Sequence, residues 1–217
     1  MAEVPILYTF RRCPYAMRAR MGLAYAGIEF QIREVVLKDK PREMLEDSPK
    51  ATVPVLLRSG LPVLEESLDI LEWSLCENDP DGWMDHPAER LLMMQKLVEE
   101  NDNIFKEHLD HYKYSDRFPE HTREVYRQAG ETFLQKLEVL LLDTPFFFGN
   151  RISYADVAVF PFIRQFSNVE PSWFTSAPYP HLRKWLASFL NSDLFQSVMK
   201  KYPSWKVDHP VLYFKQS

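Results

Sequence analysis

The chain has 217 residues, 46% of them hydrophobic, with 26 Lys and Arg against 31 Asp and Glu for a net charge of −5. That length predicts one large or two small domains with a true core, and the apolar content excludes a disordered chain. The mild acidity offers no general attraction to nucleic acid or an anionic membrane, and two cysteines, Cys13 and Cys76, are too few for a disulfide scaffold. No stretch reaches the ~18 apolar residues of a membrane span. Residues 1–10 lack the basic start and apolar run of a signal peptide. The expectation is a soluble protein of a reducing, cytoplasmic compartment.

Residues 6–10 are short, apolar and rich in strand formers, which predicts a first strand. Arg11-Arg12-Cys13-Pro14 follows, with Pro14 suited to the first helical position. Residues 15–26 read as a helix with Met17, Met21 and Ala24 on one face, and Gly27 stands where a C′ glycine belongs. Residues 30–37 read as a second strand, and Pro41 opens a short helix to about residue 46. A third strand is predicted over 55–57 and a fourth over 61–64, Pro62 marking the latter as an edge. Ser67 is expected to cap a helix with Leu68, Leu71 and Leu75 on its apolar stripe.

The order to that point is βαβαββα, a mixed sheet with helices packed on it. Prolines, a glycine and acidic residues then mark a linker over 80–87. The expected division is an α/β domain over 1–79 and an all-α domain over 88–217. Long helical patterns run over 88–114 and 120–142, with further helices over 153–166, 179–191 and 192–202. Residues 204–217, with Trp205, Tyr213 and Phe214, read as an irregular tail.

Cys13 stands where a strand turns into a helix. The N–H groups and dipole at a helix N-terminus favour the thiolate there, and Arg11, Arg12, Arg18 and Arg20 add positive charge. Ala16 occupies the position of a second cysteine three residues on, so a mixed disulfide at Cys13 needs an outside thiol to resolve it. An isolated cysteine is commonly a small buried hydrophobe. The strand–Cys–Pro–helix setting favours the reactive reading for Cys13, and Cys76, late in an amphipathic helix, reads as structural.

Val53-Pro54 is a candidate cis peptide whose exposed Val53 N–H and C=O would pair an extended peptide; the alternative is a trans proline opening a strand. Glu66-Ser67 ends a strand and starts a helix, where a hydroxyl and free N–H groups suit a carboxylate and Glu66 suits an ammonium. The alternative is that Ser67 only caps its helix. In the second half, Ser153 and Asp156 have the spacing of a capping box, a folding feature. The pair His108 and His111 lacks the further ligands a metal requires, so no metal is expected.

Taken together, these residues resemble the glutathione transferase superfamily, in which the strand–Cys–Pro–helix segment, the Val-Pro step and the Glu-Ser pair occur in this order. The run from Arg11 to Arg20 and the segment Leu37-Lys38-x-Lys40-Pro41 are most similar to the omega class, whose reactive residue is cysteine. The resemblance implies a thioredoxin-like N-terminal domain followed by a helical one. It implies that Cys13 is catalytic and that Lys40, Val53, Pro54, Glu66 and Ser67 contact glutathione as co-substrate. It implies a thiol transferase or dehydroascorbate reductase type of activity on a small or glutathionylated acceptor, in a homodimer. The rival reading is a non-catalytic binding or regulatory protein of the same fold, since fold does not fix function.

Overall fold

The structure is a computed structural model that describes residues 4–214. Two compact units emerge, one made of the residues to Asp81 and those from Ser192 onward, the other of Gly82–Asn191. The first unit carries β1 (Ile6–Thr9), α1 (Pro14–Tyr25), β2 (Phe30–Glu34), α2 (Arg42–Asp47), β3 (Val55–Leu57), α3 (Ser67–Glu77), α10 (Asp193–Val198) and β4 (Tyr213–Phe214). The strand order is β3-β1-β2-β4. β2 runs parallel to β1 with Thr9 opposite Glu34; β3 and β4 run antiparallel to their neighbours, with Tyr8 opposite Val55 and Phe30 opposite Phe214.

The four-stranded sheet is as expected in kind, but its fourth strand comes from elsewhere. Residues 61–64 make only a bridge, in which Leu64 and Leu56 exchange N–H···O bonds of 2.8 and 3.0 Å. Pro62 has no N–H to give, and its carbonyl accepts instead from Arg58 Nη2 at 2.7 Å. The supposed irregular tail supplies β4. Phe214 stacks on Phe30 at 4.9 Å between ring centroids, and Leu212 O accepts the Ile32 N–H at 2.9 Å. Burying two flat aromatic faces and pairing the open edge of β2 both favour this docking. The segment from Ser192 therefore packs with the first unit, whereas the sequence division placed it in the helical one; α10 lies against α1.

α1 is buried on nearly every side rather than along one stripe, Arg18 and Arg20 included. Its end is a Schellman motif: Gly27 has φ +71°, Gly27 N–H donates to Ala24 O and Ile28 N–H to Leu23 O, each at 3.0 Å. α3 buries Ile70, Leu71, Ser74 and Leu75, and Gly22 of α1 lets it approach: a β-carbon there would lie 2.8 Å from Leu71 Cδ1. Glu66, with extended backbone, is the N-cap of α3; Ser67 is its first residue, not its cap.

The second unit holds α4 (Ala88–Glu100), α5 (Lys106–Lys113), α6 (Arg123–Leu140), α7 (Tyr154–Ser167), α8 (Pro171–Ser176) and α9 (Pro180–Leu190). A π-turn at Asn101–Phe105 divides the long helix expected over 88–114. Its Phe105 packs on Phe133 and Phe166, at 4.8 and 5.4 Å between centroids. α8 lies between the helices expected over 153–166 and 179–191; its six residues open on Pro171 and are too short to show a helical period. Ser153 and Asp156 form the expected capping box at the start of α7. No helix among the described residues is long and apolar enough to cross a membrane.

Candidate active site

The loop between β1 and α1 ends in Cys13, which is the N-cap residue of α1 with extended backbone (φ −73°, ψ 126°) and Pro14 behind it at N1. The Cys13 N–H donates to Phe10 O at 3.0 Å, and its carbonyl accepts the Met17 N–H at 2.9 Å, so both ends of the residue are held. Cys13 is half-buried and belongs to no disulfide. It packs with Phe10 and Trp205 against a cluster of Tyr8, Val35, Met44, Val53 and Val55.

Val53-Pro54 is cis, and the Val53 carbonyl oxygen lies 3.7 Å from Cys13 Sγ. Two of the singled-out features thus meet. The carbonyl is one neighbour that favours the neutral thiol, whereas the start of α1 and the cationic Arg20 favour the thiolate.

The four arginines counted as equal in sequence are not equal in space. Arg12 is exposed, with its guanidinium 5.6 Å from the Phe10 ring centre. Arg18 is fully buried and donates from Nη1 to Ser67 Oγ at 3.1 Å, tying the start of α3 to α1. Arg20 is also buried and turns to the other side, onto the backbone of the loop before Cys13. Arg11 contributes its backbone N–H, which donates to Glu34 Oε1 at 2.7 Å.

Burial pushes the Glu34 carboxyl up, against the pull of the Arg11 N–H and the Arg20 charge. Burial brings Arg20 down to about 10, opposed by the negative charges of Glu34 and Cys13. At neutral pH Arg20 therefore stays cationic.

Glu66 pairs with Lys50, and the neighbouring Glu65 accepts from the Ser48 hydroxyl. Lys40 is half-exposed in the loop leading to α2 and, among the described residues, makes no hydrogen bond or ion pair. The structure thus brings Cys13, Val53 and Pro54 together and links Ser67 to α1. Cys76, read as structural, is exposed late on α3 and in no disulfide.

Of two further neighbours of the site, Trp205 belongs to the tail expected to be irregular, and Glu34 was not singled out in the sequence. Glu34 sits at the end of β2 opposite Thr9, and Trp205 donates its backbone N–H to Glu34 O at 2.8 Å. Trp205 also meets Tyr8 edge-on at 5.9 Å and lies under the Arg33 guanidinium at 4.3 Å. A signal was present for Arg20: two arginines two residues apart inside Ala-Met-Arg-Ala-Arg-Met, an otherwise apolar helix, imply buried charge with dedicated partners.

Family comparisons agree along the chain. The family model for the glutathione S-transferase N-terminal domain matches residues 7–83, and that for the C-terminal domain matches residues 114–188. Glutathione S-transferase U22 of Arabidopsis thaliana is 30% identical over 175 residues, which cover 73% of this chain and 72% of that protein. Glutathione S-transferase omega-1 of Rattus norvegicus is 26% identical over 215 residues, 97% of this chain and 86% of that one. Among solved structures, a glutathione transferase family member from Pseudomonas fluorescens with two glutathione bound superposes with a TM-score of 0.76. It is 20% identical, and 91% of this chain and 92% of that chain are covered.

Proposed function

Because the chain belongs to the glutathione S-transferase family, we propose that it is a glutathione-dependent thiol transferase of omega-like chemistry in which Cys13 is the sole reacting thiol. The observation that carries this reading is the place of Cys13: a half-buried cysteine at the N-cap of α1, its sulfur 3.7 Å from the Val53 carbonyl.

The cycle balances with two sulfur exchanges. The Cys13 thiolate attacks the glutathionyl sulfur of a mixed disulfide, and the acceptor thiol leaves as a thiolate and takes up a proton. Cys13 is then joined to glutathione by a disulfide. A second glutathione, as thiolate, attacks the glutathionyl sulfur, releases the Cys13 thiolate and leaves as glutathione disulfide. One disulfide is consumed and one is formed: the acceptor regains its thiol, one free glutathione is spent, and the glutathionyl group of the mixed disulfide leaves within glutathione disulfide. Ala16 stands where an internal resolving thiol would be needed, and exposed Cys76 lies on a different helix, so external glutathione closes the cycle.

In this reading the Val53 backbone pairs the peptide of glutathione, Pro54 holds that backbone turned outward, Glu66 and Ser67 take its γ-glutamyl end, and Lys40 contacts it from the loop before α2. A hydroxyl carries one donor and two acceptor sites. Arg18 occupies an acceptor site on Ser67, which leaves the Ser67 O–H to donate to a carboxylate. Ser67→Ala should therefore raise the glutathione KM by about tenfold or more, the worth of a hydrogen bond to a charged group, with kcat little changed. Equal losses in both constants would place Ser67 elsewhere in the cycle.

The reading includes a cytoplasmic homodimer. Light scattering at micromolar concentration should give twice the 25.7 kDa chain mass; a monomer mass would refute the dimer. The reaction itself is tested by an NADPH-coupled glutathione reductase assay. Glutathionylated thiols and dehydroascorbate should be turned over, and conjugation of aryl halides should be slow. Fast conjugation with no thiol transfer would overturn the proposal.

A further inference from the structure

A guanidinium is planar, permanently charged at neutral pH, and carries five N–H donors in a fixed fork. That of Arg20 is 1% exposed and reaches four oxygens. Nε donates to Val198 O at 3.0 Å; Nη1 to Thr9 Oγ1 at 2.5 Å and Phe10 O at 3.4 Å; Nη2 to Arg11 O at 2.8 Å. Thr9, Phe10 and Arg11 are the consecutive residues that carry the chain from β1 to Cys13, so one side chain fixes the whole approach. Val198 ends α10, which anchors the other side of the fork in the C-terminal segment.

Across the same loop Glu34 works as a counterpart. Its Oε1 accepts the Arg11 N–H, and its backbone oxygen accepts the Trp205 N–H. A buried charge costs several kcal/mol to desolvate, and apolar residues of similar volume are often as stabilising. Covering α1 alone would not call for arginine at this position. The groups that act electrostatically on Arg20 are Glu34 from β2, Cys13 and Arg11 from the loop, and Tyr202 from the C-terminal segment.

We propose that Arg20 is a positioning residue for Cys13: its fork sets the course of residues 9–11, and its charge, balanced by Glu34, holds the thiolate form of Cys13. The inference rests on the reading of Cys13 as the reacting thiol and adds to it the group through which the fold controls that thiol.

The charge and the fork separate by substitution. Arg20→Met removes both; Arg20→Lys keeps the charge and loses the fork. In a Cys76→Ala background, the iodoacetamide rate of Cys13 is followed against pH, with circular dichroism to check folding. Arg20→Met should raise the midpoint by about one pH unit, a tenfold loss of thiolate below it. Arg20→Lys should recover the midpoint yet show a kcat for thiol transfer about tenfold lower, with the glutathione KM within about twofold. Folded variants with wild-type midpoint and kcat would overturn the role of Arg20.

Glu34→Gln keeps an oxygen for the Arg11 N–H and leaves the Arg20 charge unopposed. It should lower the midpoint, and this carries the test if Arg20→Met does not fold; an unmoved midpoint in Glu34→Gln would then overturn the proposal. A wild-type midpoint near ~8.5 with no glutathionyl adduct on Cys13 would instead contradict the underlying functional reading. A low wild-type midpoint with unmoved variants contradicts Arg20 alone.

Discussion

Cys13→Ser should lose thiol transfer by at least about a thousandfold while the protein keeps its fold. A hydroxyl is a far poorer nucleophile than a thiolate at neutral pH, and no covalent intermediate forms without the sulfur. Serine is also a preferred N-cap, so the start of α1 should tolerate it. The pocket for glutathione stays intact in this variant, and the competing disulfide is gone, so conjugation of electrophiles by bound glutathione should persist or rise. Cys76→Ala, the control, should keep wild-type turnover because Cys76 is exposed and distant in sequence from the loop. A folded Cys76→Ala protein without activity would require a two-cysteine cycle, and a Cys13→Ser protein with substantial thiol transfer would remove Cys13 from the chemistry.

Asp156→Ala should be the most damaging single change outside the thiol site. The Asp156 carboxylate is fully buried and accepts from Phe147 N–H at 3.1 Å, Ser153 N–H at 3.0 Å, the Ser153 hydroxyl at 2.5 Å and Trp185 Nε1–H at 2.8 Å. It thereby joins the loop before α7, the cap of α7 and the middle of α9. Alanine leaves these buried donors without an acceptor, at a cost of about 3–5 kcal/mol by analogy with broken buried polar pairs. Against a total stability of ~5–15 kcal/mol that is enough to lower Tm by on the order of 10 °C and to reduce soluble yield. Scanning calorimetry is the direct measurement, and a loss under about 1 kcal/mol would contradict the account of this cap.

The same carboxyl predicts a pH dependence. Burial pushes Asp156 up to about 6, with the Ser153, Phe147 and Trp185 hydrogen bonds pulling it down. A carboxyl raised in the folded state contributes stability that is fully present below its unfolded value of ~3.9 and is lost as pH rises through about 6. Asp156→Asn should be less damaging than alanine and should flatten that part of the stability profile.

Much of this was legible in the residues themselves. Short β-formers, a proline at N1 and a glycine at C′ place β1 and α1 within a residue or two, because local backbone chemistry decides them. The Ser153–Asp156 box was readable from its spacing alone. Legibility ended where distant segments meet. Residues 61–64 had the apolar content of a strand, yet Pro62 limits them to one bridge, and nothing local in Tyr213-Phe214 says that its partner is Phe30. Likewise Arg18 and Arg20 are adjacent in pattern but serve different ends, Ser67 for one and residues 9–11 for the other. Sequence shows that two charges enter an apolar helix; only the fold shows what each one holds.

The central claim is that a single thiolate at Cys13 carries glutathione through the cycle, and intact-mass spectrometry of the wild-type protein after brief treatment with glutathione disulfide tests it most directly. The account predicts one glutathionyl addition, mapped by peptide analysis to Cys13, removed by added glutathione and absent from Cys13→Ser. An unmodified Cys13, or an addition confined to Cys76, would contradict it.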